Sequence, residues 1–527
     1  MKLRTLTLLA TFLASAVAAE AGDRGVRDFR LVQETTPLLI TSNPATPGFW
    51  SGRIAMVEAG ARKGNGGLIS LEQSPDDFTF GALTESYFRV SELITFHGKL
   101  SWSRFSGKEM GGQVMMRPEY HPVNFLESDE TTVGKKNREL YQLTGGIALN
   151  LGPSWSIGIS ADYQAGDQTK VKDPRFSNIL MDLDLKAGVA WRPSRNFVLG
   201  LTLQYQDLLE QVRGGIYGAT DKQYFIQIDR GGFFGTTEEL NGDYNTISAS
   251  NYRPMDNRYL GASLQVILFD AFTSDFSFRK RDGYYGKKST TTPVYYEFSG
   301  IEAGYDGVVL IPAGNSLHRT AVNLGYSKLA NNENKFKYVT PTGGNTTIEY
   351  TAQNEVLARK DISASLDYRF MTGTDGIRPG FIIGARGAFF MRQQTTTIYP
   401  FWRQNSYNHV SGEIYSEKSF ISGAMSYTAG LSAQFRTGWG VDKKDGSYVE
   451  GATSKLKSFD SYLNRQFEYD TASRAGGTIS FTVARRFTDS LEGYVKLSDS
   501  YVRLLSAPQY LMGNFRNLAS ITIGCNF

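Results

Sequence analysis

The sequence predicts an all-β chain that closes into a transmembrane up-and-down antiparallel barrel of about 16 strands, in a range of roughly 14–18. Three observations lead there. Successive segments alternate apolar and polar residues for about a dozen positions, beyond the roughly five or six of soluble sheets and near the ~9–11 of a tilted membrane strand. The connections alternate between very short and long. The last alternating segment, 515–527, stops on an aromatic, with Ala519, Ile521, Ile523, Cys525 and Phe527 on one face.

Residues 1–18 begin with Lys2 and Arg4, continue through an apolar run and end in Ala16-Val17-Ala18. That is the pattern of a cleaved secretory signal, too short and wrongly flanked for a spanning helix. Lysine and arginine number 56 against 52 acidic residues, and removing Lys2 and Arg4 leaves about +2, so nothing points to a nucleic-acid partner. The single Cys525 excludes an internal disulfide framework, and four histidines argue against a His-rich metal site; no cofactor is expected. No later stretch is apolar for long enough to cross a membrane as a helix. Abundant glycine, tyrosine and phenylalanine suit curved strands with aromatic girdles.

The elements follow in order. Residues 52–62 and 78–90 alternate imperfectly. In 93–105, Ile94, Phe96, Leu100 and Trp102 oppose Thr95, His97, Lys99, Ser101 and Ser103, after a tight turn at Ser91-Glu92. A long polar loop, 106–138, leads to the pair 139–151 and 155–163, joined at Gly152-Pro153. In 181–191 an apolar face opposes Asp182, Asp184 and Lys186; 197–205 repeats the plan. Trp102, Tyr141, Trp155, Tyr163, Trp191, Phe197 and Tyr205 stand at the ends of apolar faces, where interfacial girdles sit. Further candidates are 258–269, 272–284, 294–304, 317–328, 357–370, 380–394, 422–436, 478–487 and 491–503. The stretch 394–473 holds either another pair or an outer loop.

These features together resemble a bacterial integral outer-membrane β-barrel. The resemblance implies a Gram-negative outer membrane, short periplasmic turns and long extracellular loops. It also implies contact with outer-membrane lipid and lipopolysaccharide, and delivery by the barrel-insertion machinery through the C-terminal strand. Residues 19–51 would be a periplasmic or lumenal N-terminal segment and 52–527 the barrel. More narrowly, Ala59-Gly60-Ala61-Arg62, the strand 96–105 (FHGKLSWSRF), the glycine-bearing first long loop and 172–178 (KDPRFSN) resemble an uncharacterised outer-membrane barrel family of unknown function, which implies no activity. Asn43-Pro44-Ala45 weakly resembles a motif of FadL-type fatty-acid channels. TonB-dependent receptors fit poorly, because 19–51 leave no room for a plug domain of their kind.

With the apolar faces against lipid, the opposite faces point inward. They carry His97, Lys99, Asp162, Asp182, Asp184, Lys186, Asp275, Arg279, Arg281, Asp367, Arg369, Arg386, Arg392, Glu492 and Lys496, charges that are costly toward lipid. They read either as basic and acidic ladders facing across a pore or as a salt-bridged filling. Tyr224, Phe225, Phe233, Phe234, Phe401 and Trp402 are aromatic candidates for binding on outer loops or for folding inward over the pore. His409-Val410-Ser411 matches the His-x-Ser of outer-membrane phospholipases by letters alone and is read as coincidence, so no catalytic residue and no enzyme is expected. The expected function is a transport component, either a channel or an accessory of an uptake complex with another outer-membrane protein. A FadL-like channel for hydrophobic substrates and a non-conducting scaffold are the alternatives.

Overall fold

The computed structural model describes residues 25–127, 130–218, 221–240, 254–289, 292–374, 376–453 and 459–527. The signal segment expected at 1–18 lies outside the described residues. Among the described residues twenty-one strands follow one another: β1 (Arg53–Asn65), β2 (Asp76–Arg89), β3 (Ile94–Met110), β4 (Asn124–Glu127), β5 (Gly134–Asn150), β6 (Trp155–Lys170) and β7 (Arg175–Ser194). Then come β8 (Phe197–Gly215), β9 (Phe225–Asp229), β10 (Gly235–Glu239), β11 (Pro254–Leu268), β12 (Phe272–Gly286), β13 (Val294–Ala313) and β14 (Ser316–Val339). The last are β15 (Thr347–Thr372), β16 (Phe381–Ile398), β17 (Phe401–Ser422), β18 (Met425–Ser447), β19 (Arg474–Thr488), β20 (Leu491–Leu504) and β21 (Phe515–Asn526).

All but β4, β9 and β10 join one 18-stranded sheet of antiparallel neighbours. It closes on itself, because β1 pairs with β21 from Met56↔Asn526 to Asn65↔Asn517 as well as with β2. Closure removes the sheet edge, and every strand finds hydrogen-bonding partners on both sides.

Period-2 alternation dictates which side of the wall each residue takes. On β6, Trp155, Ile157, Ile159 and Tyr163 are exposed on the outside, while Ser156 is buried inside. On β8, Leu201, Leu203 and Tyr205 are exposed outward against buried Thr202 and Gln206. The same outward band recurs as Phe276 and Phe278 on β12, Ile479 and Phe481 on β19, and Ile521 and Ile523 on β21. A continuous belt of bare apolar side chains around a closed sheet is stable only against an apolar medium. Among the described residues, no helix is long and apolar enough to cross a membrane.

The described residues form 18 barrel strands, the upper end of the expected range and above the expected figure of about 16; against the seventeen segments read from the sequence, the added strand is β17. Its outward positions include Asn408, Gly412 and Ser416 beside Val410 and Ile414, so its apolar face is too thin to register as a strand. The strands also outrun their apolar stretches. β15 has 26 residues and β14 has 24. At ~3.3 Å per residue this hairpin extends well past the belt, and residues 341–347 and 349–355 are exposed.

Short turns gather at one end of the barrel, and the long connections lie at the other, together with the tight turn at Tyr399-Pro400 and the four-residue link 171–174. The N-terminal segment, with its helix Phe29–Thr35, lies inside the short-turn end. The loops between β3 and β5 and between β8 and β11 fold into the long-loop end, where β4, β9 and β10 form a three-stranded sheet within the barrel.

Candidate functional site: the barrel lumen

The short-turn mouth is occupied by residues 25–52. Asp28 caps the helix Phe29–Thr35 by accepting the Leu31 N–H at 3.0 Å, which points Phe29 and Val32 at Ile54, Met56 and Tyr87 of the wall. Further along, Ala45 and Phe49 bury against Ala190, Val198 and Ile267. Polar anchors complete the fit. Arg378 spans Asp28 and Glu492, Arg369 reaches Glu34 at 2.5 Å, and Asp275 accepts from the Ser42 N–H and hydroxyl at 2.9 and 2.6 Å.

Asn43 is the deepest of these anchors. Its amide nitrogen donates to the carbonyls of Val189 and Leu201 and to Gln265 Oε1, and its oxygen accepts the Ala45 N–H at 2.8 Å. Three wall glycines make the approach possible. A Cβ on Gly188 would lie 2.1 Å from Asn43 Oδ1, one on Gly200 2.6 Å from its Nδ2, and one on Gly158 2.3 Å from the Pro44 carbonyl. The Asn43-Pro44-Ala45 triplet is therefore a buried lock between the segment and strands β6, β7 and β8.

The long-loop mouth is filled by a second core. Phe125, Ile226 and Ile228 of the inner sheet, with Val123 just ahead of β4, pack on Phe176, Val212, Tyr285, Phe298 and Leu329 of the wall. Glu210, fully buried on β8, accepts the Met116 and Arg117 N–H groups at 2.6 and 3.2 Å and also contacts His121 and Asn178. Lys170 pairs with Glu127 of β4 at 2.5 Å. In the inner sheet, Asp229 accepts from Gly231 and Phe234, and burial pushes its carboxyl up to about 7.

The aromatic candidates divide. Tyr224 packs on the inner core, Phe233 on Leu71, Phe459 and Tyr462, and Phe234 is buried beneath the Arg403 guanidinium, 5.0 Å from its ring centre. Phe225 lies in β9. Phe401 and Trp402, expected on a loop, instead begin β17 after a turn at Tyr399-Pro400, and Trp402 lies over Gly446. His409 and Ser411 lie on β17 too, and not in a loop; His409 Nδ1 is 3.1 Å from Arg436 Nη2.

The charged candidates all take inward positions, most of them already bonded. His97 stacks on Tyr87 and contacts Glu85, beside Lys99. Asp162 accepts from Gln142 and Thr144, Asp182 from Gln206, and Asp184 from Gln204 with Lys186 at 3.7 Å. Arg279 pairs with Glu302 and Arg281 with Asn257 and the Tyr120 carbonyl. Asp367 gathers Arg319, Arg369 and Arg386, and Arg392 forks onto Asp361 with both bonds at 2.8 Å. Such forks are the strong form of the contact. Lys496 faces the cavity beside the N-terminal segment.

Between the two fillings the lumen holds cavities of about 510, 390, 560 and 340 Å³. Charge is unevenly shared among them. The 340 Å³ cavity, on the β11–β15 side, has Lys186 and Arg279 against Asp275, Glu302, Asp306 and Asp361. The 560 Å³ cavity, on the β16–β21 side, has six arginines against Glu72, Asp77 and Glu413. Among the described residues, no three metal-ligating side chains converge.

The family model for a Family of unknown function (DUF6850) matches residues 44–527. The chain belongs to that family. The match covers the lock at Asn43-Pro44-Ala45 from Pro44 onward and the whole barrel. No characterised protein of similar sequence matches. Similar solved structures include BauA, the ferric preacinetobactin receptor from Acinetobacter baumannii, at 7% identity and a TM-score of 0.36, over 90% of this chain and 80% of that one. The ferric-catecholate import receptor Fiu from E. coli K12 is similar at 8% identity and 0.37, over 89% and 81%. OccK8 (OprE) from Pseudomonas aeruginosa is similar at 8% identity and 0.34, over 90% and 97%.

Sequence reading missed the arginine cavity. Arg62, Arg138, Arg436, Arg474 and Arg516 lie at or beyond the ends of the apolar runs, where alternation with an apolar outer face no longer marks strand. Extending each run a few residues at the same parity places all five inward.

Proposed function

We propose that this protein is an outer-membrane transport component whose passage is held shut by its own chain. The observation that carries this is the combination of an outward apolar belt with a polar lumen stopped at both ends by separate, individually anchored segments. A scaffold needs only a solid interior. Here the interior is split into charged cavities, and the obstruction at the short-turn mouth is a single continuous stretch of chain ahead of β1, which can move without opening the wall. The charged linings favour a polar cargo over a hydrophobic one. Lipid and lipopolysaccharide would meet the belt, and the seam strand β21 with its aromatic end would address the insertion machinery.

Two linked measurements test this. Cell fractionation should place the protein in the outer membrane, with faster migration on unboiled gels. Proteoliposomes carrying the chain without residues 25–50 and without the inner-sheet segments 113–127 and 224–240 should release small charged solutes faster than those carrying the intact chain. Recovery in the soluble fraction, or no release from either form, contradicts the reading.

A further inference from the structure

We infer that the arginine-lined cavity beneath the helix Asp460–Thr471 is a binding site for a small solute bearing several oxyanion groups, whether phosphate, sulfate or carboxylate. The inference rests on the transport reading for its purpose and names the class of solute that the lumen would receive.

The lining arginines are not balanced within the protein. Asp77 is already shared by Arg62 and Arg516, and Glu413 is taken by Arg386. Three arginines remain. Arg138 lies over Phe105, 5.6 Å from the ring centre, and its Nε donates to the neutral Gln168. Arg474 is buried, lies 4.6 Å from the Tyr469 ring centre, and donates to the Tyr469 carbonyl. Neither has a carboxylate in ion-pair contact among the described residues. Arg436 has Asp470 at 3.5 Å, but its Nε is buried without a hydrogen-bond partner among the described residues.

Aromatic faces and neutral oxygens thus orient these guanidiniums, while the remaining lining acid, Glu72, acts on Arg138 without ion-pair contact among the described residues, so donor atoms are left over. Buried charge without a partner is costly, and a guanidinium fork matches phosphate and carboxylate oxygens geometrically. A volume of about 560 Å³ suits a small ligand. The other cavities lack this imbalance: beside the N-terminal segment five basic side chains face five acidic ones, and in the 340 Å³ cavity acids are in excess.

Titration calorimetry on the full mature chain in a neutral detergent, with inorganic phosphate, pyrophosphate and citrate as probes, tests the site without lipid present. We expect saturable binding of at least one probe, tightest for the multivalent ones, and none of a neutral sugar. Arg474→Met and Arg138→Met should each weaken it about tenfold or more. Arg474→Lys should restore part of it, and Arg279→Met, in the acid-rich cavity, should leave it unchanged. Unboiled-gel migration checks that each variant is folded. No binding by any probe, or equal binding by folded Arg474→Met and the parent chain, overturns the site whatever the flux measurements give. Binding that persists while neither form transports solute overturns the transport reading and supports the site.

Discussion

Asn43 shows how one side chain can hold a segment in place. It is 2% exposed and offers both amide groups to partners on β7, β8 and β11 and to its own turn. Truncation leaves buried oxygens without their donor, at a cost of about 1–3 kcal/mol. In Asn43→Ala, residues 38–50 should exchange amide hydrogens faster, while the barrel strands keep their protection. Unchanged exchange there would show that the apolar contacts of Ala45 and Phe49 hold the segment alone. The triplet was visible in the sequence only as a weak FadL-like motif. Its depth was not, because the space it enters exists only where Gly158, Gly188 and Gly200 of three strands come together.

At the scale of elements, alternation was legible wherever one face joined the outer apolar belt and the other the lumen, as in β6, β7 and β8. It failed where either face lost its contrast. β17 has polar residues on both sides, and β9 and β10 lie wholly inside, where no outward apolar face constrains them. The inner sheet also contains a titrating group. Asp229, held near 7 in the folded state against a usual value near 4, binds its proton more tightly when the sheet is docked. Stability from that proton is fully present below the unfolded value and is lost as pH rises through about 7. Hydrogen exchange of 225–240 should therefore quicken between pH 6 and 8.5 beyond its intrinsic pH dependence. Asp229→Asn should flatten the excess. An excess that survives in the variant would assign it to another group.

The whole molecule is defined by closure and by what fills it. Closure was expected from the alternating last strand, and the register now sets Val57 opposite Cys525 across the seam, both on the outer face. Opposed residues of antiparallel strands are about 4.5–5.5 Å apart at Cα, within disulfide range. Val57→Cys should form an intramolecular disulfide with the single native cysteine on oxidation, read as one cross-linked peptide by mass spectrometry. Two alkylatable thiols after oxidation would show an open seam. The filling was far less legible, since it depends on which loops turn inward, and that is decided by contacts such as Glu210 with the Met116 and Arg117 amides, far apart in sequence.

That filling is the central claim, and planar-bilayer recording tests it most directly. The intact chain should give no stable conductance steps, and the chain lacking residues 25–50 together with the inner-sheet segments 113–127 and 224–240 should give discrete ones that persist across several salts. Equal, stable steps from the intact chain would mean that these two fillings do not close the barrel.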